Sequence, residues 1–88
     1  MSKIYAIKRY HANGAVSYYK KGGTDKTPVD KAQLYYTEAQ AQYRLREEQF
    51  EAKADWIFAA EYPKWAERSN LVVEVQIVEV EVSIREKA

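Results

Sequence analysis

The chain predicts an α+β fold: a small antiparallel sheet packed on one long α-helix. Three observations predict it. Asn13-Gly14 stands between two strand-like runs. From residue 38 to about residue 62 there is neither Gly nor Pro, and Ala, Glu, Gln, Arg and Leu dominate, all good helix formers. Over residues 71–85, β-branched residues alternate with polar ones, as in a strand. At 88 residues this is a single domain, 1–88, with a thin core.

Taken in order, residues 4–11 form the first strand and residues 15–20 the second. Asn13-Gly14 between them predicts a type I′ hairpin turn, which needs φ > 0 at both central residues. The stretch "GGTDKTP", residues 22–28, concentrates chain breakers and reads as a loop. Residues 33–36 form an optional short third strand or an extended segment.

Thr37, with Gln40 three residues on, has capping-box spacing, and Glu38 suits a helix N-terminus. The helix that follows runs about 24 residues, near 36 Å. Pro63 ends it or opens a short second helix in "PKWAERS".

The last strand changes phase. Val73, Val75 and Ile77 share one parity, and Val78, Val80, Val82 and Ile84 the other. A β-bulge at Ile77-Val78 would turn Val73, Val75, Val78, Val80 and Val82 all toward the helix.

The helix itself has two apolar stripes. At about 100° per residue, Ala39, Tyr43, Phe50, Ala54 and Ile57 share a sector, with Phe58 at its flank. That stripe is expected to cover the sheet. Ala41, Leu45, Ala52, Trp56 and Ala59 fall nearly opposite. Either residues 63–69 fold back over them, with Trp65 near Trp56, or Leu45 and Trp56 belong to an interface, such as a homodimer.

Composition bounds the function classes. With no cysteine there is neither a disulfide scaffold nor a thiolate metal site, which fits a reducing cytosol. The start, "MSKIYAIKRY", has too short an apolar run for a secretory signal, and no stretch suits a membrane span. The expected location is cytoplasmic.

Charge is uneven. Residues 1–31 carry seven basic side chains against two acids, giving +5, and residues 32–88 carry seven against eleven, giving −4.

Nothing in the sequence marks a catalytic centre, metal site or cofactor. His11 stands alone beside a turn, where a solvent-facing position is expected. Ser17 and Ser69 lie in no G-x-S-x-G context, and "KGGT" lacks P-loop spacing. The hairpin is more informative. Lys8, Arg9, Tyr10, Tyr18, Tyr19, Lys20 and Lys21 interleave basic and aromatic side chains on adjacent strands. That mixture suits an acidic protein partner, or the stacking and phosphate contacts of nucleic acid.

The ground plan resembles that of small phage-encoded accessory proteins, including anti-CRISPR inhibitors. The resemblance rests on the compact chain, the Tyr- and charge-rich hairpin, and "AQLYYTEAQAQ", residues 32–42, where a short strand runs through a Thr cap into a helix. The same run also looks like the arm-type DNA-binding domains of phage integrases, although the long strand over residues 71–85 departs from that plan.

The resemblance implies a non-enzymatic binding or inhibitory role, in the host cytoplasm if the chain is phage-encoded. The leading expectation is a protein that docks on a larger protein or nucleoprotein complex and blocks it. The alternatives are a DNA- or RNA-binding module that uses the hairpin, and a dimeric structural domain.

Overall fold

The computed structural model describes residues 3–68 and 70–81. Its elements are β1 (Ile4–His11), β2 (Val16–Tyr18), a 3-10 turn (Val29–Lys31), α1 (Glu38–Glu61), α2 (Pro63–Arg68) and β3 (Val72–Val80). The strands form one antiparallel sheet in the order β2-β1-β3, and α1 packs against β1 and β3. This is the α+β plan that the sequence predicts. The optional third strand contracts to one bridge, in which Tyr5 and Tyr35 exchange both backbone hydrogen bonds at 2.8 Å.

The hairpin turn is not type I′. Gly14 has φ 87°, but Asn13 is not in the left-handed region. The Gly14 N–H donates to the His11 carbonyl at 3.0 Å, and the His11 N–H to the Ala15 carbonyl at 2.9 Å. These bonds define a three-residue loop with Gly in the left-handed position. The Asn13 side chain accepts from the Ala15 N–H at 2.8 Å, so Asn13 contributes its carbonyl oxygen rather than a left-handed backbone.

The helix begins and ends where chain chemistry directs. Thr37 Oγ1 accepts from the Gln40 N–H at 3.2 Å and caps α1. The Tyr62 N–H bonds to the Phe58 carbonyl at 3.0 Å, and Pro63 then opens α2, where its missing N–H costs nothing.

The last strand also departs from expectation. Ile77 and Val78 pair regularly with Ile7 and Ala6, so no bulge lies there. The apolar set is divided between the two faces of the sheet. Val75 and Ile77 join Ile7 and Ala41 beneath α1, while Val78 and Val80 stand opposite Ala6 and Ile4 on the other side. Both parities are apolar because each serves one face.

The irregularity falls farther down. Tyr10 pairs with Glu74 but His11 with Val72, which leaves Val73 as the extra residue, more than half exposed. Val82 and Ile84 lie outside the described residues.

The largest correction concerns the rotation of α1. Tyr43, Phe50 and Ile57, expected to cover the sheet, are exposed. Ala41 and Ala59 are buried instead, and Leu45 packs against the cluster of Ile7, Ala41 and Val75. Nor does α2 fold over Trp56. Trp65 meets the Phe58 ring edge-on at 4.7 Å, and the Trp56 indole N–H donates to the Val72 carbonyl at 2.8 Å.

A stability comparison checks this rotation. Ile7→Ala removes a fully buried side chain and should cost about 2–5 kcal/mol. Phe50→Ala should stay within about 0.5 kcal/mol of the parent protein, as exposed substitutions do. Urea unfolding of both variants at low protein concentration reads the difference.

Candidate functional site

β1 presents alternate residues to opposite faces of the sheet, and this divides the basic, tyrosine-rich hairpin in two. Arg9 points beneath α1. Lys8 and Tyr10 point away from it, together with Tyr18, which pairs with Lys8. The Lys8 ammonium sits 4.8 Å from the centre of the Tyr10 ring. Its pKa is raised, first by the bond to Tyr10 and then by Tyr18. The Tyr10 hydroxyl meets Gln76 Oε1 at 3.3 Å. Lys20 and Lys21 are exposed beyond β2, where the Gly23 N–H closes a turn on the Lys20 carbonyl at 2.8 Å. Lys8, Tyr10, Tyr18, Lys20 and Lys21 therefore remain a surface set.

Arg9 and Tyr19 do not belong to that set. Arg9 Nε donates to Ser17 Oγ at 3.1 Å, its Nη2 donates to the Thr24 carbonyl at 2.8 Å, and its Nη1 lies 3.6 Å from Glu48 Oε1. One guanidinium thus ties β2, the loop and the helix to β1. Glu48 is buried beneath α1, and Arg44, one helical turn before it, donates Nη2 to Glu48 Oε2 at 2.7 Å. The Arg44 guanidinium stacks 4.0 Å from the centre of the Tyr19 ring.

Burial opposes the Arg44 charge, but Glu48 more than offsets it, and the Arg44 pKa is raised. Three acids share this corner, since Arg44 also reaches Glu47 at 2.9 Å and Glu51 at 3.7 Å. The Glu51 carboxyl is pushed above its ordinary range, chiefly by the neighbouring Glu48 carboxyl.

The network continues to His11, which is buried rather than solvent-facing. His11 Nδ1 lies 2.8 Å from the Asn70 carbonyl, which can only accept, so Nδ1 carries the proton. Nε2, 2.7 Å from Ser17 Oγ, then accepts from the Ser17 hydroxyl. This serine–histidine contact has the spacing of a nucleophile and its base. Ser17 is fully buried and receives a further bond from Arg9, so the network runs from Arg9 through Ser17 to His11.

No protein-family model, curated protein or solved structure matches the chain.

The surface feature that sequence reasoning missed is the outer side of α1. Tyr43, Phe50 and Ile57 stand there exposed. Beside them Phe58 stacks on Tyr62 at 4.4 Å and meets Trp65, forming an aromatic ledge where α1 meets α2. The signal was present in the seven-residue spacing of Tyr43, Phe50 and Ile57, the repeat of a helix that meets another helix. Of the two helix residues proposed for an interface, Leu45 is taken up by the core, and Trp56 is half-exposed but anchored to β3.

The network predicts an order of variants. Glu48→Ala leaves two guanidinium groups without their shared buried acceptor and should cost about 3–5 kcal/mol. Ser17→Ala removes one hydroxyl between Arg9 and His11 and should cost about 1–3 kcal/mol. A double-mutant cycle on Arg9 and Glu48 should give a coupling of about 0.5–3 kcal/mol, and additive losses would disprove the link between helix and sheet.

Proposed function

We propose that this chain is a non-enzymatic binding protein of the small phage-accessory, anti-CRISPR-like kind. It docks on a larger protein or nucleoprotein complex in the host cytoplasm and blocks it. The observation that carries this reading is the distribution of large side chains. Among the described residues the buried apolar side chains are Ile4, Ala6, Ile7, Ala41, Ala59, Leu71 and Val75, whereas Tyr43, Phe50, Ile57, Phe58 and Tyr62 stand at the surface. Large apolar side chains exposed along one side of a helix mark an interaction surface. Tyr and Phe are among the residues enriched there. Among the described residues no helix is long and apolar enough to cross a membrane, so α1 is not read as a span.

The second reading is a DNA- or RNA-binding module. It is favoured by the gathering of Lys8, Tyr10 and Tyr18 on one sheet face, with Lys20 and Lys21 next along the chain. It loses Arg9 and Tyr19, which the buried network holds.

The two readings part in experiment. Expressed in a bacterium with an active CRISPR system, the chain should restore plaquing of a phage which that system targets, and Phe50→Glu should abolish the effect. No rise in plaquing across hosts with different CRISPR types would remove the inhibitor reading. For the second reading, affinity for a single-stranded oligonucleotide should fall with salt, with a log–log slope of about −0.7 per phosphate contacted. The triple variant Lys8→Glu, Lys20→Glu, Lys21→Glu should flatten that slope. A slope that the variant leaves unchanged excludes the hairpin as the contact.

A further inference from the structure

The outer face of α1 raises the question of what first covers it; the answer rests on taking that face as a binding face. Tyr43, Phe50 and Ile57 are 69%, 74% and 62% exposed and recur every seven residues. At about 100° per residue they fall within about 40° of one another, so they form one narrow stripe along the helix. At about 100° per residue, the charges beside this stripe separate by sign. Arg46 and Lys53 lie on one flank, and Glu47 and Glu61 on the other. Ala39, Ala54 and Ala60 fill the remaining near positions and let a neighbouring backbone approach.

We propose that the stripe is occupied by a second copy of this chain, with the two α1 helices parallel and in register. The sign separation selects this arrangement. In a parallel pair related by a twofold axis along the helices, the basic flank of each copy faces the acidic flank of the other. In an antiparallel pair, basic faces basic and acidic faces acidic. The parallel pair also answers an imbalance within the single chain. Glu47, Glu48 and Glu51 share Arg44 and Arg9, and Glu48 holds the Glu51 carboxyl above its ordinary range. The basic flank of a facing copy brings cations to that side. The sheet lies behind α1 and does not obstruct the approach, because Ala41, Glu48 and Ala59 mark the side turned to it. Two hairpins and two Phe58–Tyr62–Trp65 ledges then remain outward for other partners.

The chain has no cysteine, so a single introduced one reports the pairing without ambiguity. The Tyr43→Cys variant should cross-link to its own counterpart under mild oxidation, since in a parallel pair residue 43 meets residue 43. In an antiparallel pair it would lie near residue 57, about 21 Å along the helix and beyond disulfide reach. Sedimentation equilibrium of the parent protein should show a concentration-dependent dimer, which Phe50→Ala weakens about thirtyfold, as loss of a hot-spot residue does. The exposed double variant Arg46→Glu, Lys53→Glu should abolish association, with its helical circular dichroism retained. An antiparallel pair would leave association unchanged, because only the sign of one like-charged flank is swapped.

A parent protein that stays monomeric up to about 1 mM, or a Tyr43→Cys variant that dimerises without ever cross-linking, overturns the proposal. The docking reading fails separately. Dimers without phage protection leave the second copy in place and remove the inhibitor, while monomers whose protection depends on Phe50 do the reverse.

Discussion

The Glu48 carboxylate, held between Arg44 and Arg9, decides how this molecule is put together. The helix is apolar on two sides, and the side that faces solvent carries the larger residues. Hydrophobic burial alone would turn Tyr43, Phe50 and Ile57 inward, since each would remove more apolar surface from water than Ala41 or Ala59 does. The opposite rotation is observed, with a carboxylate beneath the helix and a guanidinium rising from the sheet to meet it. Once Arg9 is fixed on the inner face of β1, an inward Phe50 would strand its charge, and an unpaired buried charge costs several kcal/mol. The pair thus sets the azimuth of α1. Arg9 extends the same restraint to Ser17 in β2 and to the Thr24 carbonyl in the loop.

Small residues make that arrangement feasible. Ala41 and Ala59 let the helix lie close to the strands, and the gap that remains is filled by the stems of Arg9 and Arg44, by Tyr19 and by Leu45. Long basic side chains can serve as both filler and charge because their methylene stems are apolar. The bulge at Val73 belongs to the same design. It brings Val72 under the helix, where its carbonyl receives the Trp56 indole and its side chain joins the core.

Features governed by neighbours in sequence were legible before the fold was known. The Thr37 cap, the 24-residue helix, the role of Pro63 and the hairpin around Asn13-Gly14 all follow from local chemistry, and all are present. What was not legible depends on partners distant in the chain. Periodicity identified two helix stripes but could not rank them, because the ranking turns on Arg9, which lies 39 positions before Glu48 (48 − 9). The phase change in β3 looked like a bulge because one apolar face was assumed, whereas the sheet uses both. The hairpin looked like one basic surface until alternation sent Arg9 inward and Lys8 outward. The surface position of Lys8, Tyr10, Tyr18, Lys20 and Lys21 follows from the sequence, and the outer stripe of α1 is visible in its spacing, but the exposure of that stripe is not.

The placement of Glu48 has a consequence for how such a chain changes over generations. Arg9, Ser17, Arg44 and Glu48 hold the single chain together, while Tyr43, Phe50 and Ile57 take no part in its buried core. Substitutions on the outer stripe are therefore filtered by recognition alone, and the stripe is free to drift toward new surfaces. Descendants of this chain are best traced by an arginine and a serine paired across a hairpin, followed by an arginine and a glutamate one helical turn apart.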